Sequence, residues 1–124
     1  MKTAAPRQFS PERLAAINRK PSVSKDQYRQ AIETLLPLAR GDTGGSAPAA
    51  MVLLSAYDGY HWTVSIPDFC YFDWKHYDAA MTVIAGRVEL SIEPHNLIEN
   101  GSEIFKALAR DYACMSAETG EDAA

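Results

Sequence analysis

Between residues 24 and 57 the chain leaves itself little choice of fold. "SKDQ" at 24–27 has the form of a capping box, in which the serine hydroxyl accepts from the Gln27 amide and the Gln27 side chain reaches back. Tyr28, Ala31, Ile32, Leu35, Leu36 and Ala39 follow at spacings of three and four, which predicts a helix over 25–40 with that stripe against a core. Arg40 suits the negative helix end, and Gly41 is expected to close it in the left-handed conformation. A second helix is predicted over 46–57, with Ala49, Val52, Leu53, Ala56 and Tyr57 on one face. The glycines at 41, 44 and 45 permit a tight corner between the two.

That corner contains Asp42-Thr43-Gly44, the triplet with which an aspartic protease presents a catalytic carboxylate, and "VIAGR" at 83–87 superficially matches such an enzyme's second signature. The chemistry requires two such loops, each held by strands, facing each other so that two carboxylates share a proton. Here helices are predicted on both sides and no glycine-rich hairpin could serve as a flap. The plainer reading is that Asp42, Thr43 or Ser46 caps the second helix. Anion binding by free amides at that helix start is a weaker option, since the lysine of a phosphate loop is missing.

Downstream, Trp62, Val64 and Ile66 alternate with Thr63 and Ser65 until Pro67 interrupts, the pattern of a half-buried strand. Asp73 is positioned to cap a third helix, 74–86, whose Trp74, Tyr77, Met81, Ile84 and Val88 repeat on one face. Val88, Leu90 and Ile92 alternate with Glu89, Ser91 and Glu93, so a short strand pairing with 62–66 is expected, although continued helix fits the same residues. Asn100-Gly101 makes a turn, Ser102 is expected to cap a fourth helix over 103–113, and Ile104, Phe105, Leu108 and Tyr112 form its stripe. The fold class is therefore mainly α: one small domain of about four helices, with a two-stranded β ribbon as an α+β variant.

At 124 residues and 47% hydrophobic content, one core is affordable and two are not. Residues 1–23 are expected to be a loose basic arm with a short helix at "SPERLAAINRK", 24–113 the globular body, and 114–124 a disordered acidic tail. Five basic residues against Glu12 make the arm positive, whereas the body carries seven basic and twelve acidic residues. A body of that sign repels a phosphate backbone, so a DNA-associated regulator would have to use the arm. No apolar run approaches the roughly 20 residues needed to cross a bilayer, and the N-terminus lacks the apolar stretch of a secretory signal, so a cytoplasmic location is expected.

Cys70 and Cys114 are read as free thiols, Cys70 packed in the core among aromatic residues. His61, Cys70, His76 and His95 lack the close pairs of a zinc site, so no metal or cofactor is expected. A small hydrolase using Asp42 or Cys70 is an alternative reading. The leading one starts from "YHWTVSIPDFCYFDWKHY" at 60–77, which holds most of the aromatic residues. Half should fill the core; the surplus, beside Asp58, Asp68, Asp73 and Asp78, suits a protein-binding face with an acidic rim. Tyr60, His61, Trp62, Asp68 and Trp74 are the candidate binding residues, with another protein as partner and a homo-oligomer left open.

Taken together, "LLPLARGDTGGS", "MVLLSAYDGY", the "IPDF" turn, "AAMTVIAGR" and "EPHNLIENGSEIFKALARDY" give a pattern that resembles an uncharacterised bacterial domain family of unknown function, often carried by plasmids and integrative elements. The resemblance covers about residues 28–113. It implies a small, mainly helical cytosolic protein and no activity; the leading functional reading is a non-enzymatic interaction module, an accessory of a mobile element or its host.

Overall fold

The computed structural model describes residues 10–12 and 20–116, and four α-helices organise them. These are α1 (Lys25–Ala39), α2 (Ser46–Tyr57), α3 (Trp74–Leu90) and α4 (Gly101–Asp111), with short 3-10 turns at Ile66–Tyr71, Pro94–Asn96 and Ala113–Met115. Most of the expected basic arm and the acidic tail beyond Ser116 lie outside the described residues.

The start of α1 follows the capping box. Ser24 Oγ accepts from the Gln27 amide at 3.1 Å and Gln27 Oε1 accepts from the Ser24 amide at 2.8 Å, so two otherwise orphaned donors are satisfied. The stripe from Tyr28 to Ala39 is buried along its length. It packs on α2, whose Ala49, Ala50, Val52, Leu53 and Leu54 are fully enclosed, and on α3; Phe105 and Leu108 of α4 close the core from the other side.

The corner between α1 and α2 is built differently from the sequence expectation. No glycine among the described residues has a positive φ; Arg40 and Gly41 close α1 by donating their amides to Leu36 O and Leu38 O, both at 3.0 Å. Nor does a side chain cap α2, whose N-cap is Gly45. Ser46 Oγ instead accepts from the Thr43 amide at 3.0 Å, tying the corner to itself. Close approach explains Gly45, where a Cβ would sit 3.3 Å from Tyr71 O and 3.4 Å from a Leu38 methyl.

The expected β ribbon does not form, and no strand occurs among the described residues. Residues 62–65 carry no regular secondary structure, and at Ile66, after an extended Ser65, the chain turns into a 3-10 helix with Pro67 in its first turn, where a missing amide is tolerated. The other presumed strand is the end of α3. That helix runs four residues past Gly86 to Leu90 and stops where Ser91 adopts the left-handed conformation (φ 56°, ψ 34°). Alternation over five residues fits a helix too, with Leu90 turned toward the core and Val88 outward. Ser102 likewise falls inside α4, which begins after Asn100 in the left-handed conformation (φ 58°).

α3 meets α1 through small residues. Ala79, Ala80, Val83 and Gly86 are buried, and the Tyr28 ring lies against the bare Cα of Gly86. The same ring donates its hydroxyl to Ile92 O at 2.8 Å, fastening α1 to the segment after α3. Tyr112 O–H repeats the device, donating to Ala39 O at 2.8 Å, and Arg87 Nε–H donates to Ala56 O at 3.0 Å. Each such bond in a partly buried setting contributes about 1 kcal/mol.

Candidate functional site

A helix normally turns its repeating apolar stripe inward. In α3 the small-residue face takes that place, and the larger stripe is left outside. Trp74 is 79% exposed, Tyr77 36%, Met81 43% and Val88 72%, with Ile84 half-buried between them.

The helix that carries this stripe is anchored at its start by Asp73, whose Oδ1 accepts from the His76 amide at 2.8 Å and lies 2.8 Å from His76 Nδ1. Donation from that amide, and then from the imidazole, holds the Asp73 carboxyl below the usual carboxylate range. Just before it, the 3-10 turn Ile66–Tyr71 supplies more aromatic surface. Phe69 meets Phe72 edge-on at 5.5 Å between ring centroids and Tyr77 at 6.5 Å, while Trp74 meets Tyr77 edge-on at 5.8 Å. These rings line a shallow hollow with Cys70 at its edge. At the other end of the stripe, Val88 and Tyr60 line a second hollow against the end of α2.

The candidate residues separate into two groups. Tyr60 and Trp74 stand on the surface, with Tyr60 94% exposed. His61 is exposed and lies 2.6 Å from Asp58 Oδ2, a local contact across the turn after α2. Asp68 is half-buried in the first turn of the 3-10 segment. Trp62 is buried, so its ring serves the core. Tyr77, Met81 and Val88 share the outer face of α3, and Tyr71 is exposed on the 3-10 turn before it; none was singled out from sequence as a binding residue, and the exposure of the three on α3 depends on which face of that helix the core selects.

Cys70 is exposed, contrary to its expected place in the core, because the 3-10 turn carries it outward; Cys114 is exposed as well. Asp42 is exposed on the corner. His61 and His76 contact Asp58 and Asp73 through Nδ1, and His95 lies edge-on to Tyr57 at 5.0 Å. Among the described residues, no three His, Cys, Asp or Glu side chains converge as a metal ion requires, and no helix is long and apolar enough to cross a membrane.

Fold and surface together define a small helical-bundle domain with one apolar helix face left open. The chain belongs to a family of unknown function (DUF7673), whose model matches residues 29–113, spanning all four helices but for the first turn of α1. No curated protein and no solved structure matches it.

Proposed function

We propose that this protein is a non-enzymatic docking module that binds another protein through the outer face of α3 and the aromatic turn before it. The resemblance drawn from the sequence suggests the setting: the cytoplasm of a bacterium, in the service of a mobile element. The observation that carries the reading is the exposure of Trp74, Met81 and Val88 along one side of a well-anchored helix. A monomer seldom leaves so much contiguous apolar area in water, and tryptophan and tyrosine are the residues on which protein interfaces most often turn. The acidic residues Asp68, Asp73 and Asp78 border the aromatic end and favour a basic side chain opposite them on the partner.

The test compares the tagged full chain with a Tyr60→Ser/Trp74→Ser variant in affinity capture from the source cells. Both side chains project into solvent, so the variant should keep its helicity and change stability by no more than about 0.5 kcal/mol. Loss of a specifically retained protein is expected. Retention of an unchanged set of proteins by the variant would refute the reading.

A further inference from the structure

We infer that the protein covering this face is a second copy of the same chain, two α3 helices packing antiparallel about a two-fold axis near Met81. The inference rests on the docking role proposed for the face and names its occupant.

Three observations converge on it. The first is spacing. Trp74, Tyr77, Met81, Ile84 and Val88 are separated by three, four, three and four residues, the alternation with which one helix presents a continuous seam to another. A globular core needs a wider stripe, and α3 makes its own core contacts with a different set of residues.

The second is the match of the face to itself. Its bulk is graded, with aromatic rings at the amino end and the aliphatic Ile84 and Val88 at the carboxyl end. An antiparallel two-fold sets each large end against the small end of the other copy and Met81 near its own equivalent, as a self-complementary interface requires. Charge selects the same direction. Parallel helices would bring Asp73 of one copy beside Asp78 of the other on both sides of the seam. Antiparallel helices bring Asp73 toward the other copy's Arg87 instead.

The third is area. From their fractional exposures, Trp74, Tyr77, Met81 and Val88 offer about 500 Å² of surface per copy, and Tyr60 beside Val88 adds about 200 Å². Standard protein interfaces take about 800 Å² from each partner, and the largest apolar patch on a typical monomer is roughly 300–600 Å². The seam thus lies toward the upper end of what a monomer leaves in water and, with Tyr60, approaches what a stable dimer buries from each partner.

Sedimentation equilibrium of the full chain, from about 1 to 200 μM, tests the inference directly. The wild-type protein should approach twice its 13.6 kDa mass as concentration rises. Met81→Lys, placing two ammonium groups near the axis, should keep its helical circular dichroism and weaken the dimer by at least about 100-fold, as should Met81→Glu. Mixing the two variants should restore the dimer, since Lys now faces Glu. Should Met81→Lys not fold, the wild-type measurement and Val88→Lys decide the matter, because Val88 is 72% exposed and its replacement disturbs no core contact. A wild-type monomer throughout, an undiminished dimer in the lysine variants, or a mixture that stays monomeric would overturn it. A monomer whose captured partner is nonetheless lost in the Tyr60→Ser/Trp74→Ser variant would leave the docking role standing and remove only the second copy.

Discussion

Replacing Gly86 by alanine sets two well-characterised effects against each other. Gly86 lies inside α3, and at such a position glycine costs about 1 kcal/mol relative to alanine, so Gly86→Ala should stabilise if the residue were merely helical. The fold gives the opposite answer. A Cβ there would stand 2.5 Å from Tyr28 Cδ2 and 2.7 Å from Cδ1, with Cγ nearer still, and contacts under about 3 Å force something to move. The nearest atoms belong to the root and sides of a fully buried ring whose hydroxyl is tied to Ile92 O, so the ring cannot swing away freely. Overpacking of this kind costs about 1–3 kcal/mol, and displacing the hydroxyl forfeits about 1 kcal/mol more. After the propensity gain is deducted, a net loss of about 2 kcal/mol remains. Urea unfolding followed by circular dichroism should show a midpoint about 1 M lower with an unchanged slope. In a Tyr28→Val background the same substitution should lose its penalty or become favourable. An increase in wild-type stability on Gly86→Ala would refute the account of why α3 buries its small-residue face.

Two further perturbations probe the same framework. Burial of the Tyr28 ring, offset in part by the charge of Arg87 and reinforced by Glu93, pushes its hydroxyl up from 10.0 to about 12. The unfolded chain therefore releases this proton before the folded one, so its contribution is intact below pH 10 and declines by roughly 3 kcal/mol as pH rises from 10 to 12. Tyr28→Phe should cost about 1 kcal/mol at neutral pH and flatten the alkaline decline seen in denaturant titrations at successive pH values; an equally steep decline in the variant would count against the assignment. Gly101→Ala should be the more damaging alanine substitution, because the new Cβ would fall onto the backbone of His95, 2.6 Å from its carbonyl carbon, and backbone yields less readily than a ring. A loss of about 3 kcal/mol in the same urea assay is expected, and a loss under about 0.5 kcal/mol would show that the Pro94–Asn96 turn is free to move.

The parts of this fold that were legible in the sequence are those fixed by local chemistry. Ser24 and Gln27 announce the start of α1 because both partners of the capping box lie within four residues, and Asp73 announces α3 for the same reason. The stripe on α1 is read correctly because the helix has one apolar face only, so the choice of which side goes inward needs no remote contact. What was not legible depends on contacts remote in sequence. Gly86 counts against helix by propensity, yet its bare Cα is what lets α3 approach Tyr28, 58 residues earlier, so the helix continues to Leu90. That approach decides which apolar face of α3 goes inward; hydrophobicity alone favours Trp74, Tyr77 and Met81, whereas close packing favours Ala79, Ala80 and Val83. Cys70 was assigned to the interior by its aromatic neighbours, but a 3-10 turn after Ser65 rotates it outward. Of the candidate binding residues, Tyr60 and Trp74 reach the surface for reasons that no spacing rule contains.

The glycine corner has a reach that its place between two helices does not suggest. The main chain at Tyr71 rests on Gly45, its carbonyl oxygen 3.3 Å from where a side chain there would begin, so the height of that turn above the bundle is set by backbone against backbone, a seat no rotamer can alter. A bulkier residue at Gly45 would act as a shim, tilting the aromatic rings nearby and retuning what they fit while every residue among them stayed the same.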